Sequence, residues 1–189
     1  MAKLFSAAAP IKIAIVAGEA SGDMLAGMLI NALRERFPDA EFVGIAGPKM
    51  QSAGCRSLFP QETLAVNGYV EVLRNLRAIL RIRKQLKRLL LQDRPDVFIG
   101  VDAPDFNFGL EERLRNAGIR TAHFISPSIW AWRAGRVDQM RRSTDLVLCV
   151  FPFEPQLLAE HGMAATYVGH PLAQVIPLVP DQAAARRKL

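Results

Sequence analysis

Six stretches of this chain read as strands, and most of them are apolar almost without interruption: Ile11–Gly18, Glu41–Gly47, Asp96–Asp102, Ile119–Ser126, Asp145–Phe151 and Ala165–Gly169. A strand with one wet face alternates apolar and polar residues. Continuous runs instead indicate strands covered on both faces, as in parallel sheets flanked by helices. Segments of helical length lie between the runs: Gly22–Phe37, a long one around Val70–Gln92, Phe108–Ala117, Gly135–Ser143 and Pro155–His161. Gly118 and Gly162 stand where two of these helices end, the usual place of a glycine that turns the chain out of a helix. Strand, helix, strand in this rhythm predicts an α/β fold with a Rossmann-like, doubly wound parallel sheet.

Half of the 189 residues are hydrophobic, enough for one well-packed domain and too little for two large ones. Lys and Arg outnumber Asp and Glu by 24 to 18, so the net charge of +6 favours acidic partners such as nucleic acid, phosphorylated sugars or anionic lipid. Cys55 and Cys149 match no metal spacing and read as reduced, buried thiols. No apolar run approaches the ~20 residues that span a bilayer. The start has one early lysine and a short apolar patch, but "IKIAIVAG" reads better as a first strand than as part of a secretory signal. The expected organisation is a tail over residues 1–10, a domain over 11–171, and a linker with the start of a further part over 172–189, where Asp181 caps a beginning helix.

In open parallel sheets, ligands bind at the carboxyl ends of the strands. Four loops fall there: "GEASGD", "GVDAPDFN", "SPSIWAWR" and "VGHP". The first has glycines for close backbone approach but neither the lysine of a P-loop nor the G-x-G-x-x-G of a dinucleotide-binding oxidoreductase. Ser21 or Asp23 can serve there as a helix cap, while Glu19 suits sugar hydroxyls better than phosphates. In the second loop Asp102 ends a strand, where a carboxylate can take a proton from an attacking hydroxyl. Pro104 is expected to hold Ala103 extended and the loop in one shape. Asp105 and Asn107 are candidates for substrate contact or for capping a helix that begins near Phe108. In the third loop Trp130, Trp132 and Arg133 can stack on a sugar and read phosphate, or the tryptophans can pack under the loop. His123 reads as a core residue, His161 as a helix-end residue, and His170 as able to reach the cleft or a second domain.

The segment "NGYVEVLRNLRAILRIRKQLKRLLLQ" is strongly basic. On a helical projection its apolar residues cover roughly 200°, about twice the stripe that a surface helix needs to cover a core. An uncovered apolar strip beside Arg and Lys suits an anionic membrane surface. Nucleic acid fits less well, since stacking aromatics are lacking there.

"VAGEASGD", "GIAGPKMQSAGC", "GVDAPDFN", "SPSIWAWR", "TDLVLCVFPFE" and "VGHP", in this order, resemble the amino-terminal half of the lipid-A-disaccharide synthase family. The resemblance implies the amino-terminal domain of a GT-B-type glycosyltransferase whose carboxyl-terminal domain is missing from this chain. It implies inverting transfer from UDP-2,3-diacylglucosamine to 2,3-diacylglucosamine 1-phosphate (lipid X), giving UDP and the lipid A disaccharide. Asp102 would be the base for the acceptor's 6-hydroxyl. Glu19 and Ser21 would help to place the acceptor, and Asp105, Asn107, Trp130 and Arg133 would bind substrate. No metal or other cofactor is expected. The setting implied is the cytoplasmic face of the inner membrane in Gram-negative bacteria. Val70, Val72, Leu73, Leu76, Ile79 and Leu80 would form the docking strip on the lipid. The alternative is a non-catalytic membrane-associated α/β module.

Overall fold

The computed structural model describes residues 9–64, 69–127 and 135–187. Seven strands, β1 (Lys12–Ala17), β2 (Glu41–Ile45), β3 (Cys55–Phe59), β4 (Val97–Val101), β5 (Arg120–Phe124), β6 (Leu146–Cys149) and β7 (Ala165–Tyr167), form one sheet. Its order is β3-β2-β1-β4-β5-β6-β7, and each neighbouring pair is parallel. The helices are α1 (Ala20–Arg36), α2 (Pro48–Ser52), α3 (Tyr69–Asp93), α4 (Pro104–Arg115), α5 (Gly135–Ser143), α6 (Glu154–Glu160) and α7 (Gln182–Arg187). The expected α/β, Rossmann-like sheet is therefore observed.

Side-chain alternation along the strands divides the interior into two layers. Ile13, Ile15 and Ala17 point towards α1 and pack with Leu25 and Ile30, joined by Ile99 and Val101 from β4. Ala14 and Val16 point the other way, with Phe98, and meet Leu86 and Leu90 of α3 and Leu110 and Leu114 of α4. Both faces of the central strands are thus dry, which is why their sequences are continuously apolar. A third cluster, including Met140, Val147 and Leu158, lies under α5 and α6. Cys55 and Cys149 are free and buried, and burial pushes each thiol up to about 12.

Three features depart from expectation. β3 was not anticipated: "CRSLF" carries Arg56 and Ser57, and its residues after Cys55 are exposed or half-buried at the sheet edge. The short α2, with Pro48 in its first turn, was missed as well. Helix α4 begins at Pro104 rather than near Phe108, because proline's fixed φ and missing N–H suit a first helical turn.

Helix α3 splits by position. Leu86 and Leu90 are fully buried, whereas Leu76 and Leu80 are 41% and 43% exposed. Leu90→Ala should destabilise the fold by roughly 2–5 kcal/mol. Leu80→Ser should stay within about 0.5 kcal/mol of the parent. Denaturant unfolding of the two variants checks this division, and equal losses would contradict it.

Candidate functional site

The chain leaves the centre of the sheet in opposite directions at β1 and β4, since β2 and β3 lie on one side and β5 to β7 on the other. Crevices at such switch points, outside the carboxyl ends of the strands, are the ligand sites of open α/β sheets. Ala17 pairs with Val101, so the loops after β1 and β4 emerge side by side. They also touch. A Cβ placed on Gly18 would lie 2.8 Å from the Cβ of Ala103, closer than real side chains come. Glycine is required there for this close approach.

Asp102 stands on the β4 side of that crevice and is half-buried. Its backbone is held from both directions: its N–H donates to the Phe124 carbonyl at 3.0 Å, and its own carbonyl accepts from Asn107 Nδ2 at 2.8 Å. Among the described residues, no hydrogen bond or ion pair engages its carboxylate. Asp102 and Ala103 are both left-handed, with φ of 49° and 44°. The expected extended Ala103 is thereby corrected: the preference imposed by Pro104 is overridden by the neighbouring contacts. Ile125, at the end of β5, is left-handed too, with φ of 74°. Left-handed non-glycine residues are costly and persist where the surroundings over-determine them. Three of them gather at one lip of the sheet.

Asn107, expected to contact substrate, is fully buried, and its amide is taken by the carbonyls of Asp102 and, at 3.4 Å, Val101. It shapes the loop from beneath and does not face a ligand. Nor does it cap α4, which has already begun. Asp105 has a side chain 87% exposed and pairs with Arg136 of α5 at 2.8 Å.

On the β1 side, Glu19 and Ser21 are exposed. Glu19 occupies the N-cap position of α1 without a side-chain capping bond, and Ser21 lies in the first turn. Asp23 is buried and caps a different helix: its carboxylate accepts from the N–H groups of Lys49 and Met50 at 2.9 and 3.1 Å, at the start of α2. Gln61 carries no signal in the sequence. Its buried amide donates to the carbonyls of Ala17 and Glu19 at 3.2 and 2.9 Å and pins the first loop from outside.

Trp130 and Arg133 lie outside the described residues, as does Trp132. Ser126 is buried at the start of that loop. His170 accepts from the N–H of Leu172 through Nδ1 at 3.2 Å and caps the short 3-10 turn Pro171–Gln174. His123 lies in the core of β5 and His161 at the end of α6, as expected. Among the described residues no group of three or more His, Cys, Asp and Glu is placed to hold a metal ion.

On α3, Leu76 and Leu80 are exposed one turn apart, with Arg77, Arg81 and Lys84 exposed beside them. Ile79, expected on the same strip, is half-buried and packs in part against the α3–α4 side of the core. The side chains of Val70, Val72 and Leu73 lie outside the described ones. Among the described residues no helix is long and apolar enough to cross a membrane.

The chain is 62% identical over 182 residues to the lipid-A-disaccharide synthase of Verminephrobacter eiseniae, covering 96% of this chain and 47% of that protein. It is 59% identical over 180 residues to the enzyme of the same name from Albidiferax ferrireducens, covering 95% and 46%. The chain therefore spans about half the length of the curated relatives it matches. Its fold is like that of a ugt transferase from Siraitia grosvenorii in complex with UDP, with a TM-score of 0.54, 11% identity, and coverage of 93% of this chain and 54% of that one. The family profile described as Lipid-A-disaccharide synthetase matches residues 13–189, and the chain belongs to that family.

Proposed function

We propose that this chain supplies the acceptor side and the base of an inverting glycosyl transfer. In this reading UDP-2,3-diacylglucosamine is the donor and 2,3-diacylglucosamine 1-phosphate the acceptor. The observation that carries it is Asp102 itself, half-buried at the switch point on a left-handed turn, with no hydrogen bond or ion pair among the described residues engaging its carboxylate. The acceptor's 6-hydroxyl oxygen forms a bond to the anomeric carbon of the donor and gives its proton to Asp102. The bond from that carbon to UDP breaks, and UDP leaves with the electron pair. Attack from the face opposite UDP turns an α donor linkage into a β product linkage. Glu19 and Ser21, exposed on the adjoining loop, are suited to bind sugar hydroxyls. Most contacts to UDP are assigned to a second domain of the GT-B architecture.

The same reading gives α3 a place at the membrane. Both substrates are acylated, and an exposed Leu76–Leu80 strip flanked by Arg77, Arg81 and Lys84 suits an apolar boundary beneath anionic headgroups. The proposed location is peripheral, on the cytoplasmic face of the inner membrane.

Two experiments test these statements in the full-length protein. Asp102→Asn should lower kcat by about 10²–10⁴-fold, the usual contribution of general base catalysis, with donor binding retained. Near-native turnover would remove Asp102 from the reaction. Replacing Leu76 and Leu80 together by Ser should weaken binding to vesicles of phosphatidylethanolamine and phosphatidylglycerol while the melting temperature holds. A fall in melting temperature with vesicle binding intact would return both leucines to the core.

A further inference from the structure

Beneath the Asp102 turn lies a band of buried polar groups that the proposed chemistry does not touch. Asn107 and Glu111 sit one turn apart on α4, and His123 lies opposite on β5; all three are 0% exposed. His123 Nδ1 and Glu111 Oε1 are 2.7 Å apart, which ties α4 to β5. The ring of Phe108 packs on that of His123 with centroids 4.6 Å apart. Gly100 of β4 makes the room: a Cβ there would overlap Glu111 Oε1 and come within 2.9 Å of the Asn107 Cβ.

This band is an unfavourable thing to keep if stability were its only purpose. Among the described residues, no protein group is hydrogen-bonded to the buried Asn107 Oδ1, Glu111 Oε2 or His123 Nε2. Each such atom destabilises a fold unless something offsets it, and apolar side chains of the same volume often do better. What the band does provide is direction. Asn107 Nδ2 holds the Asp102 carbonyl at 2.8 Å, while Phe124, the residue after His123, accepts from the Asp102 N–H at 3.0 Å. The two peptide groups that flank the Cα of Asp102 are therefore fixed by α4 and by β5. The Glu111–His123 contact joins those same two elements. With both peptides held, Asp102 keeps its positive φ, and the Cα from which its side chain leaves is fixed at the lip.

We propose that Asn107 is a positioning residue for Asp102, and that the buried Glu111–His123 contact fixes the frame from which it acts. The inference depends on the reading of Asp102 as the base, and the test separates the two. In the full-length enzyme, Asn107→Leu removes the donor at nearly constant volume. It should lower kcat on the order of 10²-fold, the effect of a small misplacement of a reacting group, with little change in KM. The melting temperature is read beside it and should fall only modestly: the Asp102 and Val101 carbonyls lose their donor, while the buried orphan oxygen of Asn107 is lost with it. The deciding measurement is a double-mutant cycle. If Asn107 acts through Asp102, adding Asn107→Leu to Asp102→Asn should cost less than about 3-fold more. Losses that multiply would overturn the positioning role while leaving the base in place. Near-native turnover of Asp102→Asn alone would overturn the base, and the positioning role with it. Should Asn107→Leu fail to fold, the cycle is repeated in Ala103→Gly, where glycine accepts the left-handed turn freely. Failure to fold there as well would make Asn107 a folding residue and defeat the inference.

Discussion

The close passage of the first and fourth strand-end loops governs what the rest of the crevice can be. Gly18 and Ala103 come together at the centre of the carboxyl edge, and only a missing side chain makes that contact possible. Because the chain then departs to opposite sides, the two loops open outward from one fixed point. Glu19, Ser21 and Asp102 are carried on the two arms of that opening. Their relative placement follows from strand pairing below them and owes little to loop length.

Rigidity of the sheet is what allows the lip to hold conformations that a free peptide would reject. Asp102, Ala103 and Ile125 are left-handed, and two strands with both faces buried run directly beneath them. Each such residue costs about 1–3 kcal/mol, so the packed layers below must outweigh several kcal/mol at one edge. The polar frame of Asn107, Glu111 and His123 adds to that burden and does not relieve it. Stability is made by the two apolar layers, and a part of it is given up at the lip where Asp102 stands.

Much of the architecture is legible in the sequence because strands dry on both faces must be continuously apolar, and Val97–Val101 is such a run. The edge strand Cys55–Phe59 is not legible, since one flank is open and Arg56 and Ser57 are tolerated there. The position of Asp102 follows from the rule that strand ends at a switch point bind ligands. Its left-handed turn does not, because local preference before Pro104 points the other way and only tertiary contacts reverse it. Asn107 looks like a cap or a ligand contact from spacing, yet its partners are backbone carbonyls visible only once α4 is seen to begin at Pro104. Glu111 has the pattern of a solvated helix residue, and nothing near it in the chain announces His123. Gln61 is equally silent, for its acceptor at Glu19 lies 42 residues away.

Asp23 shows how this design would mislead a genetic screen. It closes the "GEASGD" loop two residues after Ser21, so a loss of function on its replacement would be read as the loss of a ligand contact. Yet its carboxylate is spent on the amides of Lys49 and Met50, so the damage would travel through a neighbouring helix start. Sensitivity to substitution along "GEASGD" therefore mixes two causes, since Glu19, Ala20 and Ser21 are exposed to a visiting molecule while Gly22 and Asp23 are buried.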